Sequence, residues 1–517
     1  MKKLLLLLTI VGIQQAYAQI PEDAIRYSWY PHNGTARNMA TGGVMGSLGG
    51  DLTALYVNPA GIGFFRTGEI VLTPGFRLNN NQLNFRENPS EDKKNLFGFG
   101  PSGYIQGYTR RHEPKNSYAF AIGINQTASF NNYYHYGALN NYRSFSEQFA
   151  EEFAKSGQSI DNVLNTQSVM PYTAAPALYT YLIDTVTVNG IRQVRGAPER
   201  ILDAGGALRQ DITKRTRGGI YEISAGYAEN MGDKWFWGAS LGIPIVYYNS
   251  HTVLTESDTS ANRLNGFNTA TYTDDFKTTG AGINIRLGGI YRPSEHIRLG
   301  LAIQTPTFMF LNDKHNSYLY AQIENDTGKL ITNEVSSNLF TNGSPGENRY
   351  YQNAPWKAVI SASYVFREVE NVKRQRAFIS ADIEYVNHRG SRFNSYAEEP
   401  TEDEKNYYKA LNRVVRDEFK GTFNFRLGGE IKFNTIMARL GAAYYGNPYK
   451  DKDLKANRLL LSGGLGYRNK GFFIDLTYVH QVSKDVNFPY RLEDRANTFA
   501  TIKQTQGNLV ASVGFKF

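Results

Sequence analysis

The chain reads as all-β: a 14-stranded antiparallel transmembrane β-barrel with an N-terminal hatch plugging the lumen and long outer loops carrying short helices. Three observations predict it. Segments of period-2 alternation recur from Gly68 onward, the connections between them alternate short and long, and the last segment ends on the aromatic Phe517. Phe, Tyr and Gly are abundant (30, 35 and 49 residues), yet mean hydropathy is only -0.44. A barrel in lipid has that profile, because lipid-facing apolar residues alternate with polar lumen residues and the average conceals both.

The N-terminus addresses the compartment. Lys2-Lys3, the apolar run Leu4 to Ile13 and the small-residue site Ala16-Tyr17-Ala18 form a signal peptide over residues 1–18. The run is about half the ~20 residues a membrane helix needs. No Cys follows the cleavage site, so a lipid anchor is excluded. The absence of Cys from the whole chain also excludes disulfides, thiol catalysis and Cys-ligated metal. With no other long apolar run, the expected location is the outer membrane of a Gram-negative bacterium. The formal charge of +9, two units of which lie in the leader, is spread too thinly for nucleic-acid binding.

Residues 19–67 are the expected hatch. Gly34 to Arg66 is Gly-rich, mildly apolar and nearly free of charge, too irregular for a strand and too apolar for a linker. Such a piece has to be packed inside something. It closes on Asn58-Pro59-Ala60, where Asn can cap a short helix and Pro suits its first turn.

Residues 68–517 are the expected barrel. In Thr422–Phe433, Phe423, Phe425, Leu427, Ile431 and Phe433 share one face while Asn424, Arg426, Glu430 and Lys432 share the other. The same alternation recurs at Ala377–Val386, Ile436–Tyr445 and Gly471–Gln481. Strands of this kind are wet on one side and apolar on the other. Short turns are expected at Arg111–Asn116, Glu229–Asp233, Arg292–Glu295, Asn434–Thr435 and Asn469–Lys470, with a longer one at Arg367–Arg376. Long polar connections are expected at Asn79–Asn95, Asn131–Arg217, Ser257–Asp275, Leu311–Pro355, Asn387–Lys420, Asn447–Ala456 and Ser483–Thr501. Short inner turns and long outer loops are the habit of outer-membrane barrels. Trp235, Trp237 and Trp356 stand at strand starts, where an interfacial belt would place them.

The 131–217 insertion is not all coil. Phe145, Phe149 and Phe153 recur every four residues, a helical spacing. The stripe reads either as packing on the barrel rim or as a groove that first captures an apolar ligand. A polar helix is expected over Glu402–Phe419.

Chemistry is sparse. Gly98 to Gly103 spells GxGxxG, but β-like residues follow it, so it is no dinucleotide motif. The eight His residues show no metal-ligand spacing, and no nucleophile elbow or phosphate loop occurs. No enzyme activity, metal or cofactor is expected. Arg286, Arg298, Arg426, Arg439 and Arg458 project inward in this register, among Asp382, Glu384, Glu430 and Asp475. They read either as a ladder of interior salt bridges or as candidates to hold an anionic head group, for which Arg offers a bidentate fork.

The order of Gly34, Arg37, Ala40-Thr41-Gly42-Gly43, Asp51 and Asn58-Pro59-Ala60, followed by fourteen strands ending in an aromatic, resembles the FadL family of outer-membrane transporters for hydrophobic compounds. The resemblance implies a hatch or gate formed by Arg37, Gly42, Gly43, Asp51, Asn58, Pro59 and Ala60. It implies passive transport of long-chain fatty acids or similar lipophiles, captured outside, bound in the lumen and released sideways through the wall. Membrane lipids, hydrophobic small molecules and the assembly machinery that reads the strand ending at Phe517 are the implied partners of a monomer. Two departures stand out. The largest insertion follows the third strand, and Ser117–Ala128 has no Pro to kink it, leaving Gly123 or Asn125-Gln126 to do so. A second role stays open: a PorV-like barrel that docks partners in a secretion or assembly complex and transports nothing. A static plug with Arg37 and Asp51 paired inside would suit it.

Overall fold

The computed structural model describes residues 23–517 apart from 189, 367–375, 453 and 455. The leader over 1–18, residues 19–22 of the expected hatch and most of the Arg367–Arg376 turn lie outside the described residues. From Asp23 the chain runs inside the barrel. It makes a helical turn at Asp23–Arg26, the short helix α1 (Ala36–Ala40), and 3-10 turns at Leu52–Tyr56 and Pro59–Phe64.

Fourteen antiparallel strands then form the wall. β1 covers Gly68–Leu72 and Pro74–Phe85, β2 covers Asn88–Phe99 and Ser102–Arg110, and β3 covers Glu113–Ser129 and Asn132–Asn140. β4 (Leu208–Met231), β5 (Trp235–Asp258) and β6 (Thr269–Tyr291) are the longest. β7 (Ile297–Gln304 and Thr307–Glu324) and β8 (Gly346–Ala354 and Lys357–Phe366) are again interrupted. β9 (Ala377–Asn387), β10 (Gly421–Phe433), β11 (Ile436–Tyr445), β12 (Arg458–Asn469), β13 (Phe472–Asn487) and β14 (Ala500–Lys516) complete the circuit. β1 and β14 close it, with Ile70 opposite Phe515 and Phe76 opposite Leu509. Phe423, Phe425 and Leu427 face outward and are exposed, while Asn424 and Arg426 face inward and are buried.

The short turns share one end: Arg111-His112, Gly232 to Lys234, Arg292 to His296, Asn434-Thr435 and Lys470-Gly471. Both ends of the wall lie there too, since Gly68 and Phe517 exchange backbone hydrogen bonds of 3.0 Å. Trp235 and Trp237 are exposed beside that end. Trp356 directly precedes the Lys357–Phe366 segment, as expected, but at the break within β8, where it is tilted against Tyr385.

The opposite end departs from expectation in one respect. Three of the expected loops are largely strand. Asn79–Asn95 is a hairpin turning on Arg86-Glu87, both at positive φ (50° and 64°). Ser257 pairs with Thr269, so that loop shrinks to ten residues or fewer of coil. Leu311–Glu324 continues β7, and Leu330–Ser336 adds a strand to its outer end. A 24-residue strand such as β4 rises about 80 Å at ~3.4 Å per residue, whereas lipid needs only about 9–11 residues. Above the lipid the outward face turns polar while the inward face packs on the loops, as at Leu83, Phe85, Leu254 and Leu319. The ladder therefore continues while the lipid-facing apolar alternation that reveals it disappears.

The long loops and these extensions form an outer cap. α2 (Ser146–Ser156) buries Phe149 and Phe153, with Phe145 just ahead of it, and Phe149 meets Tyr272 edge-on at 5.1 Å. The aromatic stripe is therefore cap core, not an open groove. α3 (Glu402–Glu418) is capped by Thr401, whose hydroxyl accepts from the Glu404 amide, and it buries Tyr408, Leu411 and Val415 over Ala24 and Ile25.

Glu147 lies buried in the first turn of α2, 3.4 Å from Arg143. Burial, then the nearby Glu199 carboxylate, push its carboxyl up to about 7. A carboxyl whose folded value exceeds its unfolded one of about 4.3 stabilises the cap fully below that value and loses the contribution as pH rises through about 7. Proteolytic nicking of the 141–207 loop should therefore be faster at pH 8 than at pH 5.5 after correction for protease activity, and Glu147→Gln should flatten the difference.

Candidate lumen site and wall seam

The hatch is irregular, so its backbone groups need partners that a helix or sheet would otherwise supply. The inward faces of the wall supply them. The Asp382 carboxylate accepts from the Met45 and Gly46 amides at 2.9 and 3.1 Å and from Ser361 Oγ at 2.6 Å. Ser512 Oγ accepts from the Ala36 amide at 2.8 Å, and Thr477 Oγ1 donates to the Ala36 carbonyl at 2.6 Å. Ser462 and Ser240 donate to the Ala40 and Leu55 carbonyls at 3.1 and 2.9 Å. Asn58 joins three parts: its Oδ1 caps the Ala60 amide at 3.1 Å, and its Nδ2 donates to the carbonyls of Gly46 at 2.5 Å and Gly289 at 3.3 Å. Pro59 starts the turn it caps.

Contact is close enough to demand glycine on both sides. Gly42 sits at φ +70°, and a methyl on Gly441 of the wall would lie 2.0 Å from its nitrogen. Gly43, at φ +82°, faces His32 and Arg426.

Asp51 and Arg37 do not pair with each other. Asp51 accepts from Thr35 Oγ1 at 2.7 Å and from the Thr53 amide at 2.8 Å, an internal N-cap. Arg37 donates to the Gly50 carbonyl at 3.1 Å and reaches Glu430 at 3.5 Å. A short α1 and a tight turn separate the two groups, and each meets a nearer partner first.

All five predicted lumen arginines do point inward. Arg286 pairs with Glu222 at 2.6 Å and Arg426 with Glu384 at 2.9 Å. Arg439 lies between Glu430 and Asp475 at 2.6 and 2.5 Å, its side chain fully buried. Arg298 donates to the Leu48 carbonyl at 2.7 Å and covers the Phe64 ring at 4.7 Å. Arg458 lies over Trp29 at 5.0 Å. Three of the five are thus committed to carboxylates, as a ladder of interior salt bridges requires.

Between the hatch and β3 to β10 lies a small cavity of about 70 Å³. Tyr30, Tyr56, Val57, Ala302 and Val359 give it apolar surface, while Glu222, Arg286, Lys357, Glu384 and Arg426 make it charged. Lys357, whose ammonium stands 5.2 Å over the Tyr30 ring, makes no ion pair within 4 Å among the described residues.

The cavity touches Asn33, Asn125 and Thr127, and there the wall is discontinuous. Below this level β2 and β3 form an ordinary ladder from Ser102↔Ile124 to Thr109↔Ser117. Above it, Asn88–Phe99 pairs with β1 and Asn132–Asn140 with β4, and no backbone ladder joins the two among the described residues. Side chains zip this seam: Ser90 Oγ donates to the His135 carbonyl (2.9 Å), Lys94 Nζ to the Asn132 carbonyl (3.3 Å), and the His135 amide to Asp92 (2.5 Å). β2 breaks at Gly100-Pro101 and β3 carries a bulge between Gln126 and Ala128. Asn125-Gln126 thus adjoins the irregularity, while Gly123 stays in register. From inside, Asn33 donates to the carbonyls of Phe99 (2.9 Å) and Gln126 (2.8 Å), and its own carbonyl accepts from Asn125 (3.1 Å). The Gly98–Gly103 motif marks this strand break, with no helix following.

Asn33 and Lys357 escaped the sequence. Asn33 precedes the Gly-rich stretch and carries no local pattern; Lys357 was legible only as the first residue of an alternating strand. Glu222 could have been found by parity, being the one carboxylate on the inward face of Ile220–Ala228.

No family model matches this sequence, and no curated protein sequence does. Solved structures do match. The toluene transporter TodX of P. putida aligns with 94% of this chain and 99% of its own at 14% identity and a TM-score of 0.53. A FadL homologue from Pseudomonas aeruginosa aligns with 93% of this chain and 98% of its own at 12% identity and a TM-score of 0.51. The protein therefore has the fold of an outer-membrane-type transmembrane barrel. More particularly, its structural neighbours are FadL-family transporters, and at these identities the likeness concerns the fold.

Arg439→Met would leave Glu430 and Asp475 facing each other without their shared cation, a loss of about 3–5 kcal/mol for a broken buried pair. The temperature at which the compact, fast-migrating form disappears on a detergent gel should fall clearly, whereas Arg458→Met should change it little.

Proposed function

We propose that this protein carries hydrophobic compounds, long-chain fatty acids or similar lipophiles, passively across the outer membrane of a Gram-negative bacterium. Cargo enters through the outer cap, pauses in the lumen cavity and leaves sideways through the seam between β2 and β3. The observation that carries this reading is the lower end of the seam: beside the cavity the β2–β3 ladder stops at Gly100-Pro101 and the Gln126–Ala128 bulge, and Asn33 of the hatch bonds both edges. Lateral exit suits apolar cargo, which gains by entering the bilayer and not water. The neighbours support the class of activity, since one is a toluene transporter. The dense bonding of residues 36–60 to the wall favours a hatch that stays in place while the seam opens. The candidate arginines would then chiefly hold the lumen together. Insertion through the C-terminal strand ending at Phe517, a monomeric state and the absence of cofactor complete the reading.

A second reading has one observation in its favour. The hatch fills much of the lumen and the remaining cavity is rich in charge, which suits a PorV-like docking barrel.

Engineered cross-links separate these readings, because the chain has no Cys of its own. Oxidising a Phe99→Cys/Gln126→Cys pair across the seam should abolish uptake of a labelled fatty acid into cells, and reductant should restore it. Oxidising Ser47→Cys/Ser361→Cys, positions whose hydroxyls lie 2.7 Å apart, should leave uptake intact. Loss in both variants would mean that the hatch moves. No effect in either, with a partner complex co-purifying, would favour docking. Asn33→Ala should raise uptake or leak several-fold by weakening the seal.

A further inference from the structure

Outward positions on neighbouring strands of this barrel line up in rows. In one row Ile245 pairs with Ala281, Ala281 with Phe310 and Phe310 with Tyr351. Ile245, Phe310 and Tyr351 are exposed, so the row belongs to the apolar belt. Two residues nearer the long loops the row holds Tyr247, Asn312 and Arg349. Two residues further it reads Arg217, Asn249, Lys277, Lys314, Glu347. Each step is about 7 Å along the strands, so a row of cations stands directly above the last aromatic residues of the belt.

The charges in that row are balanced by protein only at Lys314, which reaches Glu347. Lys277 and Lys314 are direct cross-strand partners, an arrangement in which like charges repel. Glu347 is taken by Arg349 at 3.0 Å and Lys314 at 3.6 Å, and Asp275 by His251 at 2.7 Å. Arg217, Lys277 and, one row higher, Arg215 make no ion pair among the described residues; Lys277 leans over the Tyr247 ring at 5.7 Å. An exposed sheet face keeps such a row when anions lie against it. At this height, on the long-loop side of the belt, those anions are the headgroups of the outer leaflet.

We propose that the outer rim of β4 to β8, centred on Arg217, Lys277 and Lys314, binds phosphate headgroups of outer-leaflet lipids. Arg217 offers a planar fork for two phosphate oxygens, and the lysines act as point charges beside it. Tyr247 and Tyr351 then mark where acyl chains give way to headgroups. This requires the orientation of the barrel in the membrane but not the transport reading.

The test incorporates the full-length protein into phosphatidylcholine nanodiscs containing a minor fraction of bis-phosphorylated lipid A, or of its dephosphorylated form. Native mass spectrometry then counts the glycolipid retained per barrel after extraction. The wild type should retain the phosphorylated form and lose the dephosphorylated one. R217Q/K277Q/K314Q should lower retention roughly tenfold or more, given the attraction each basic residue contributes at a membrane surface, and K277Q alone should lower it in part. The control K405Q/K409Q/R413Q removes equal charge from the exposed face of α3 and should retain lipid like the wild type. Equal retention by the rim variants and the wild type overturns the proposal. So does an equal loss in the control, or retention indifferent to the phosphates.

Discussion

Everything inside this barrel depends on one constraint: an irregular backbone enclosed by a membrane wall must have its hydrogen bonds met from that wall. Residues 36–60 have almost no regular structure to meet them internally. The wall answers with Asp382, Ser462, Thr477, Ser512 and Ser240, each on an inward position at the height where the hatch passes. Asn58 does the same from the hatch side. The wall glycines belong to the same solution, because a donor can reach a backbone group only if nothing holds the two chains apart. The inward face of the lower barrel therefore meets the hatch with small hydroxylic residues, joined by the charged Asp382, Arg298 and Glu430.

The charged part obeys a related rule. Arg286, Arg426 and Arg439 each sit against a carboxylate on a neighbouring or nearby strand. Buried pairs of this kind add little net stability, but losing one partner is costly. They hold the lumen in one arrangement and leave a polar cavity between them. A lipophile resting there would contact the aromatic and aliphatic side, with Lys357, which makes no ion pair within 4 Å among the described residues, beside it to meet a polar end.

The seam is where that order is weakest. A ladder has a backbone bond at nearly every residue, and opening it means breaking many at once. Along Asn88–Phe99 and Asn132–Asn140 a few side-chain bonds do the work, each worth about 1 kcal/mol net. Asn33 adds two more at the bulge. If the wall opens anywhere for cargo, this is where opening costs least. The cavity meets this stretch at its lower end, where Asn33, Asn125 and Thr127 line it beside the strand break and the bulge.

Much of this was legible in the sequence. Period-2 alternation with one apolar face assigned Phe423, Phe425 and Leu427 to lipid and Arg426 and Arg439 to the lumen, because a membrane strand has one dry side and the parity of a strand cannot slip without exposing every residue. Helical spacing of Phe145, Phe149 and Phe153 identified α2 for the same reason: a buried stripe must repeat with its element. The signal weakened where the asymmetry ended. β1, β2, β5, β6 and β7 run past the lipid, where the outward face turns polar and the inward face of β1, β5, β6 and β7 packs on the cap, so their outer halves read as loops. What the tertiary structure alone decided was which groups meet. Arg37 finds Glu430 and not Asp51, the Met45 and Gly46 amides find Asp382, and Asn33 finds the unladdered carbonyls of Phe99 and Gln126. Alternation records which side of the wall a residue faces, since that is set by its own solvent. Its partner is set by where the barrel's closure brings distant strands and the hatch together, and no local pattern carries that information.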